Sequence, residues 1–262
     1  DKFISVASGK TFGAWVDLRQ GPTFGNVFTS TLDASQAIFI PRGVGNAFQT
    51  LEDNTAYTYL VNDHWSADAQ GQYTFLNLAD ESAAIQWPIP LSSAELSDKD
   101  KAHPRLSQVV PMPPRMTLVL GANGQLGKAL REAYKHDPSV EFAARAEFDL
   151  SSEEAFRSRN WKNYDTIINA AAYTAVDAAE SADGRRAAWQ TNVAGVARLA
   201  RLAVEHDLTL VHVSSDYVFD GTRDPHSEEE EFSPLSVYGQ TKAAGGAVVS
   251  VVPKHYIVRA TW

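Results

Sequence analysis

Thr117-Leu118-Val119-Leu120-Gly121-Ala122-Asn123-Gly124-Gln125-Leu126-Gly127 decides the fold of the part of the chain in which it lies. The run ahead of Gly121 reads as a short buried strand. Three glycines spaced by three then turn the chain tightly and open a helix toward Lys128-Ala129-Leu130. Such a turn lets backbone N–H groups and a helix N-terminus approach a pyrophosphate closely. Taken alone, the same residues also fit a glycine-rich turn that serves packing only.

Downstream, Val140-Glu141-Phe142, Thr166-Ile167-Ile168, Thr209-Leu210-Val211-His212-Val213 and Tyr256-Ile257-Val258 are candidate strands with helical patterns between them. The clearest helix runs from about Arg185 to His206, with Trp189, Val193, Val196, Leu199 and Ala203 on one face and Trp189 and Trp161 expected in the core. This alternation predicts an α/β, Rossmann-type, doubly wound parallel sheet over 116–262. Upstream the texture changes. Phe3-Ile4-Ser5-Val6, Ala14-Trp15-Val16, Asn26-Val27-Phe28-Thr29, Ala37-Ile38-Phe39-Ile40 and Tyr57-Thr58-Tyr59-Leu60-Val61 are rich in β-branched and aromatic residues, with turn residues between them. They predict an all-β sandwich, barrel or roll over 1–110. Pro111-Met112-Pro113-Pro114-Arg115 is too dense in proline for a helix or central strand, so 111–115 reads as a linker between two domains.

Composition narrows the classes of function. A net charge of −9 argues against non-specific nucleic-acid binding. No apolar run is long enough for a transmembrane helix, and Asp1-Lys2-Phe3 does not open a signal peptide. With no cysteine there is no thiol catalysis, disulfide or thiolate metal site. The seven histidines are scattered, none at metal-ligand spacing, so no metal is expected. A cytoplasmic location fits.

The chemistry lies further along. Ser215 ends the strand that carries Val211 to Val213, and strand carboxyl ends are where ligands bind in such sheets. Tyr238 and Lys242 stand four apart, on one face of a helix. A nearby ammonium lowers a tyrosine pKa, which makes Tyr238 a candidate proton donor. Asn192 fits either a contact to the cofactor-side loop or simple packing, and Glu228 to Glu231 read as a solvated loop.

Glycine turn, strand-end serine and Tyr-x-x-x-Lys, in this order, resemble the extended short-chain dehydrogenase/reductase family. Asn169-Ala170-Ala171-Ala172-Tyr173-Thr174-Ala175-Val176-Asp177, Ser215-Asp216-Tyr217-Val218-Phe219-Asp220-Gly221 and Tyr238-Gly239-Gln240-Thr241-Lys242 narrow the resemblance to dTDP-4-dehydrorhamnose reductases. It covers nearly all of 116–262. It implies that Ser215 hydrogen-bonds the substrate C4 oxygen, that Tyr238 protonates it as hydride arrives, and that Lys242 tunes Tyr238 and holds the nicotinamide ribose. Gly121, Asn123, Gly124, Gln125, Leu126 and Gly127 would line the pyrophosphate. Asp149 and Leu150 would lie by the adenine, with Ala170, Ala171 and Ala172 along the riboses. Arg145 would pair with a 2′-phosphate, favouring NADPH over NADH, although a solvated arginine fits equally. Asp216, Tyr217 and Trp262 would touch the nucleotide sugar. The family continues beyond the position of Trp262, so the resemblance implies a longer native chain.

The upstream half resembles dTDP-4-dehydrorhamnose 3,5-epimerases, a cupin-like jelly roll. The matching segments are Val16-Asp17-Leu18-Arg19 with Pro22-Thr23-Phe24-Gly25, Ile40 to Phe48, Tyr59-Leu60-Val61-Asn62-Asp63, Trp87-Pro88 and Leu96 to Asp100. The resemblance implies that Lys2 steadies an enolate, Tyr59 returns a proton to the sugar carbon, and Asp100 orients the histidine base. That base lies upstream of Lys2 in the family. Asn46 stands where the family has a histidine, and Gly13 where it has an aspartate. A homodimer built through the β half is also implied. The reading is thus a fused, two-domain epimerase/reductase of dTDP-L-rhamnose synthesis. Its alternatives are another nucleotide-sugar reductase or epimerase, and a non-catalytic NADP-binding scaffold.

Overall fold

The computed structural model describes residues 1–62, 73–223 and 225–261. The chain forms two compact units, Asp1–Pro114 and Arg115–Trp262.

The first unit is built on six strands: β1 (Lys2–Ser8), β2 (Thr11–Asp17), β3 (Val27–Leu32), β4 (Ala37–Ile40), β5 (Val44–Thr50) and β6 (Ala56–Val61). They make two antiparallel sheets, ordered β4-β1-β6 and β3-β2-β5, in a cupin-like roll. Successive side chains of a strand point to opposite faces, and β1 turns Ile4 and Val6 inward. There they meet Trp15, Leu32 and Ile40 from both sheets. Strand β5 was not anticipated, because Gly45-Asn46-Ala47 are poor strand formers. Pairing with all of β2, from Thr11↔Thr50 to Asp17↔Val44, imposes it.

A second cluster joins Val16, Leu18 and Val109 with Phe24, Leu76, Ile85 and Leu106. The segment read as a linker is docked on this side over its first part. Met112 donates its N–H to the Leu18 carbonyl and accepts from Gln20 N, both at 2.8 Å. Its neighbours Pro111 and Pro113 have no N–H to offer, so one non-proline residue supplies the ladder step. A short helix, α1 (Asp98–Ala102), is capped by Ser97, whose hydroxyl oxygen accepts from Asp100 N.

The second unit alternates β7 (Met116–Leu120), α2 (Gln125–Ala133), β8 (Val140–Ala143), α3 (Glu153–Arg157), β9 (Tyr164–Asn169), α4 (Ala182–Trp189), α5 (Val196–Glu205), β10 (Thr209–Ser215), α6 (Val237–Val249) and β11 (His255–Ala260). All five strands are parallel, in the order β11-β10-β9-β7-β8. Helices cover both faces of such a sheet. Accordingly Leu118, Val119 and Leu120 are consecutive and fully buried. Leu199, Leu208, Leu210 and Ile167 complete the core. The chain leaves β7 toward β8 and returns past it to β9. That reversal is a topological switch point, and ligands bind at the carboxyl ends of the strands beside it.

One expectation fails within the long helix. Trp161 is core, but Trp189 is 42% exposed. A π-helical segment, Gln190–Gly195, separates α4 from α5. Its wider turn shifts the phase of the residues before it, so Trp189 leaves the face shared by Val196, Leu199 and Ala203.

Candidate active site

Gly121 sits at φ +78°, and a Cβ there would lie 2.7 Å from the backbone of Ala170 and Ala171. Only glycine lets the ends of β7 and β9 come so close. The approach is fixed by Ala170 N donating to Leu120 O at 3.1 Å. Gly127 is equally constrained, since a Cβ would lie 2.3 Å from Gly121 O. Gly124 is different: it is the N-cap of α2, and only Gly121 O, at 3.3 Å, would face its Cβ. No side chain caps this helix, so its first-turn N–H groups have no side-chain acceptor at the cap. Asn123, Gly124 and Gln125 are exposed, with Leu126 partly buried.

Beyond β8, Arg145 Nε lies 3.1 Å from Asp149 Oδ2. Burial would raise the Asp149 carboxyl, but hydrogen bonds from Ser151 and Arg145 outweigh it and hold the pKa below the usual range. Leu150 is buried and packs against Gly195. Ala170, Ala171 and Ala172 form the partly buried loop after β9, with Ala171 N donating to Asn169 Oδ1.

At the end of β10, Ser215 is 1% exposed and caps a single helical turn, accepting from Tyr217 N. Its hydroxyl donates to Asp216 Oδ1 at 2.9 Å. Helix α6 begins at Ser236, which accepts from Gly239 N, and thereby brings the buried Tyr238 to the same place. Tyr217 links Ser215 and Tyr238, since its N–H donates to Ser215 Oγ and its ring meets that of Tyr238 edge-on at 5.6 Å. Lys242, one helical turn on and 3% exposed, donates from Nζ to Val213 O at 2.6 Å.

The electrostatics differ from the sequence expectation. Burial pushes the Tyr238 phenol up, and the nearby Ser215 hydroxyl offsets only part of this. No lowering from Lys242 enters this balance, and the Lys242 ammonium is turned to the Val213 carbonyl. Burial also lowers Lys242 itself, to about 8.

Asn192, in the π segment, turns out to join several parts of the site. Its Oδ1 accepts from Tyr173 N at 2.8 Å, and its Nδ2 donates to Tyr173 O and to Thr241 Oγ1. Thr241 in turn donates to Tyr238 O. Asn192 therefore ties the loop after β9 to the helix that carries Tyr238. Sequence reasoning missed Thr241 and His212. The buried His212 pairs through Nδ1 with Asn169 Nδ2 at 3.1 Å. The signal for both was a polar residue inside an otherwise apolar segment.

In the first unit, Lys2 Nζ lies 5.6 Å from the centre of the Tyr59 ring, and burial lowers its pKa. Asp100 is not joined to this pair. Its contacts are Ser97 Oγ, which donates at 2.6 Å, and His103 Nε2 at 3.6 Å. Asn46 Oδ1 accepts from Trp15 Nε1 at 2.9 Å and from the Tyr57 hydroxyl at 3.3 Å. The Trp15 ring covers Gly13, where a Cβ would lie 2.2 Å from it. Asp63, His64, Trp65 and Trp262 lie outside the described residues. Among the described residues no cluster of three or more histidines and carboxylates could hold a metal, and no helix is long and apolar enough to cross a membrane.

The family model described as RmlD substrate binding domain matches residues 115–262, and that of dTDP-4-dehydrorhamnose 3,5-epimerase matches residues 1–108. The Protein RmlC homolog of Streptococcus pyogenes serotype M6 is 53% identical over 116 residues, 44% of this chain and 58% of that protein. The dTDP-4-dehydrorhamnose reductase of Sinorhizobium fredii is 40% identical over 147 residues, 55% of this chain and 49% of that protein. Among solved structures, a dTDP-4-dehydrorhamnose reductase from Bacillus anthracis in complex with NADP superposes with a TM-score of 0.52 at 32% identity, over 57% of this chain and 54% of that one. The chain spans about half the length of the curated relatives it matches. Through residues 115–262 the chain belongs to the RmlD substrate binding domain family, and ahead of that unit it carries a match to the dTDP-4-dehydrorhamnose 3,5-epimerases.

Proposed function

We propose that the second unit reduces the C4 ketone of dTDP-4-dehydro-L-rhamnose with NADPH. The observation that carries this reading is that the buried Ser215 and Tyr238, joined through Tyr217, share the carboxyl edge of the sheet with the glycine turn. The cradle fits a dinucleotide: Gly121 and Gly127 let the turn close tightly on the backbone around it, and the start of α2 offers N–H groups to a pyrophosphate. The residues that would hold it are Gly124, Gln125, Leu126, the Ala170–Ala172 loop, Lys242 and, at a 2′-phosphate, Arg145. A bound nicotinamide cofactor supplies the hydride.

Tyr238 holds its proton at neutral pH, the more firmly for its burial, and it delivers that proton to the C4 oxygen. Ser215 turns its hydroxyl from Asp216 to the same oxygen. The exposed ring of Tyr217 offers a face to the sugar. The NADP complex of the Bacillus anthracis relative supports the cofactor, and the exposed Arg145 held by Asp149 supports NADPH over NADH.

The first unit is proposed as an epimerase half. Lys2 would stabilise enolate charge and Tyr59 would return the proton, an assignment supported by their cation–π contact. A homodimer through this unit and a cytoplasmic setting belong to the same reading, and sedimentation of the purified protein tests the dimer. The decisive experiment on the reductase is Tyr238→Phe in the full chain. Loss of ketone reduction with NADPH binding retained supports the reading; undiminished reduction overturns it.

A further inference from the structure

Arg259, near the end of β11, stands beside Ser214 of β10 in the parallel register. Its guanidinium carbon lies 5.7 Å from the ring centre of Phe219 and 5.2 Å from that of Phe232, and the two rings are 6.3 Å apart. Its Nε is buried without a hydrogen-bond partner. A guanidinium whose Nε is buried without an acceptor is stabilised by the π faces beside it, which aliphatic neighbours could not replace.

The two rings belong to the segments that flank the site. Phe219 directly follows the turn that holds Asp216 and Tyr217. Phe232 precedes Ser233, three residues before the Ser236 cap of α6. The segments are tied at their base: Ser233 N donates to Val218 O at 2.9 Å, and Asp220 N to Ser233 Oγ at 3.0 Å. Phe219 is further stacked on His226 at 4.4 Å, and His226 is held by Glu230 at 2.9 Å. The side chain of Glu230 is 6% exposed, so this part of the acidic run is built into the cluster and does not trail in solvent. Helix α6 in turn starts against the Tyr217 carbonyl, where a Cβ on Gly239 would lie 2.2 Å from it.

We propose that Arg259 is a positioning residue of the ketone site: by gripping Phe219 and Phe232 together it fixes the segment of Ser215 against the segment of Tyr238. The proposal rests on the reductase reading, and its test separates the two. In the full chain, Arg259→Met is expected to lower kcat for the 4-dehydro sugar about tenfold or more, with the Kd for NADPH unchanged within about twofold. Arg259→Lys, which keeps a cation for the rings, is expected to recover part of the loss. Amide exchange at Asp220 and Ser233 is expected to quicken about tenfold in Arg259→Met.

Unchanged exchange, or faster exchange with an unchanged kcat, overturns the proposal. A parallel loss of NADPH affinity overturns it too, since that marks general damage to the unit. If the parent protein binds NADPH but reduces no 4-dehydro sugar, the reductase reading fails, and the exchange rates still decide whether Arg259 clamps the two segments. Should Arg259→Met not fold, Phe232→Leu, at a rim position 39% exposed, removes one ring face and is judged by the same two measurements.

Discussion

Lys242 donates from Nζ to the main-chain oxygen of Val213 at 2.6 Å, two residues before Ser215 on the same strand. The contact carries the helix of Tyr238 onto the strand of Ser215, and it holds an ammonium where almost no water reaches. A lysine lowered from 10.5 to about 8 implies a burial cost of roughly 3 kcal/mol, at about 1.4 kcal/mol per pH unit. Methionine would remove that cost but leave the Val213 carbonyl without its donor, at about 1–3 kcal/mol. Lys242→Met is therefore expected to move Tm by less than about 5 °C while ketone reduction falls about a hundredfold or more. The pH dependence gives a second check. The folded state loses this proton near pH 8 and the unfolded state near 10.5, so the unfolded state binds more protons between them. This group therefore makes stability rise with pH across that window, and the rise should vanish in the variant. Thermal melts from pH 7 to 10.5, with steady-state rates, test both.

His212 makes the opposite end of the pH range informative. Burial, with the neighbouring Lys242 charge second, lowers its pKa from 6.5 to about 3. Its Nδ1 faces Asn169 Nδ2, whose amide orientation is fixed because Asn169 Oδ1 accepts from Ala171 N. The imidazole is thus neutral, with its proton on Nε2. Below pH 6.5 the unfolded chain takes up a proton that the folded chain refuses, so stability falls as pH drops from 6.5 toward 3. The expected loss is about 2 kcal/mol between pH 6.5 and 5. His212→Gln keeps a polar group beside Asn169 and cannot titrate. Urea unfolding of the second unit should show a flatter acid limb in this variant than in the parent; equal slopes would rule out His212 as the source.

Two glycines of the turn should separate stability from cofactor affinity. Gly121→Ala forces a side chain into the left-handed region and against the Ala170–Ala171 backbone, at about 2–4 kcal/mol or more. Gly124→Ala has only Gly121 O near its new Cβ, so its melting temperature should barely change. The added methyl group stands at the mouth of α2, where a pyrophosphate approaches, and NADPH affinity should fall about tenfold or more. Calorimetric melting and NADPH fluorescence titration of the pair check this. Equal effects of both variants on both measurements would refute the division of roles.

Much of this was legible in the chain. Buried parallel strands announce themselves as unbroken apolar runs, as at Leu118-Val119-Leu120, and the glycines mark where one such strand must turn. Tyr238 and Lys242 could be placed on one helix face by spacing alone. What spacing could not supply was their environment: the direction of the Tyr238 shift depends on burial, and the partner of Lys242 is a carbonyl on another element. Strand β5 escaped because residues around Asn46 have no strand preference of their own and are recruited by β2. The π segment escaped because nothing in Gln190–Gly195 distinguishes it from a helix, although it decides that Trp189 faces outward and that Asn192 reaches Tyr173. Met112 escaped because its prolines suggest release from the fold, while its own N–H and carbonyl complete a ladder.

Asn46 offers the matching test in the first unit. Its single Oδ1 serves two donors, Trp15 Nε1 and the Tyr57 hydroxyl. Burial pushes Tyr57 up to about 12 with Asn46 pulling weakly the other way, so this phenol remains a donor that needs an acceptor. Tyr57 is also stacked on Phe48 with ring centres 3.8 Å apart, which prevents it from turning elsewhere. Asn46→Ala strands both donors in a partly buried place and is expected to cost about 2 kcal/mol, or roughly 10 °C in the melting of the first unit. Asn46→His, with one imidazole nitrogen to accept, can satisfy one donor and should cost about half as much. Calorimetry that resolves the melting of the first unit distinguishes the three proteins; equal losses in both variants would mean that the shape of Asn46, and not its acceptor, is what the roll requires.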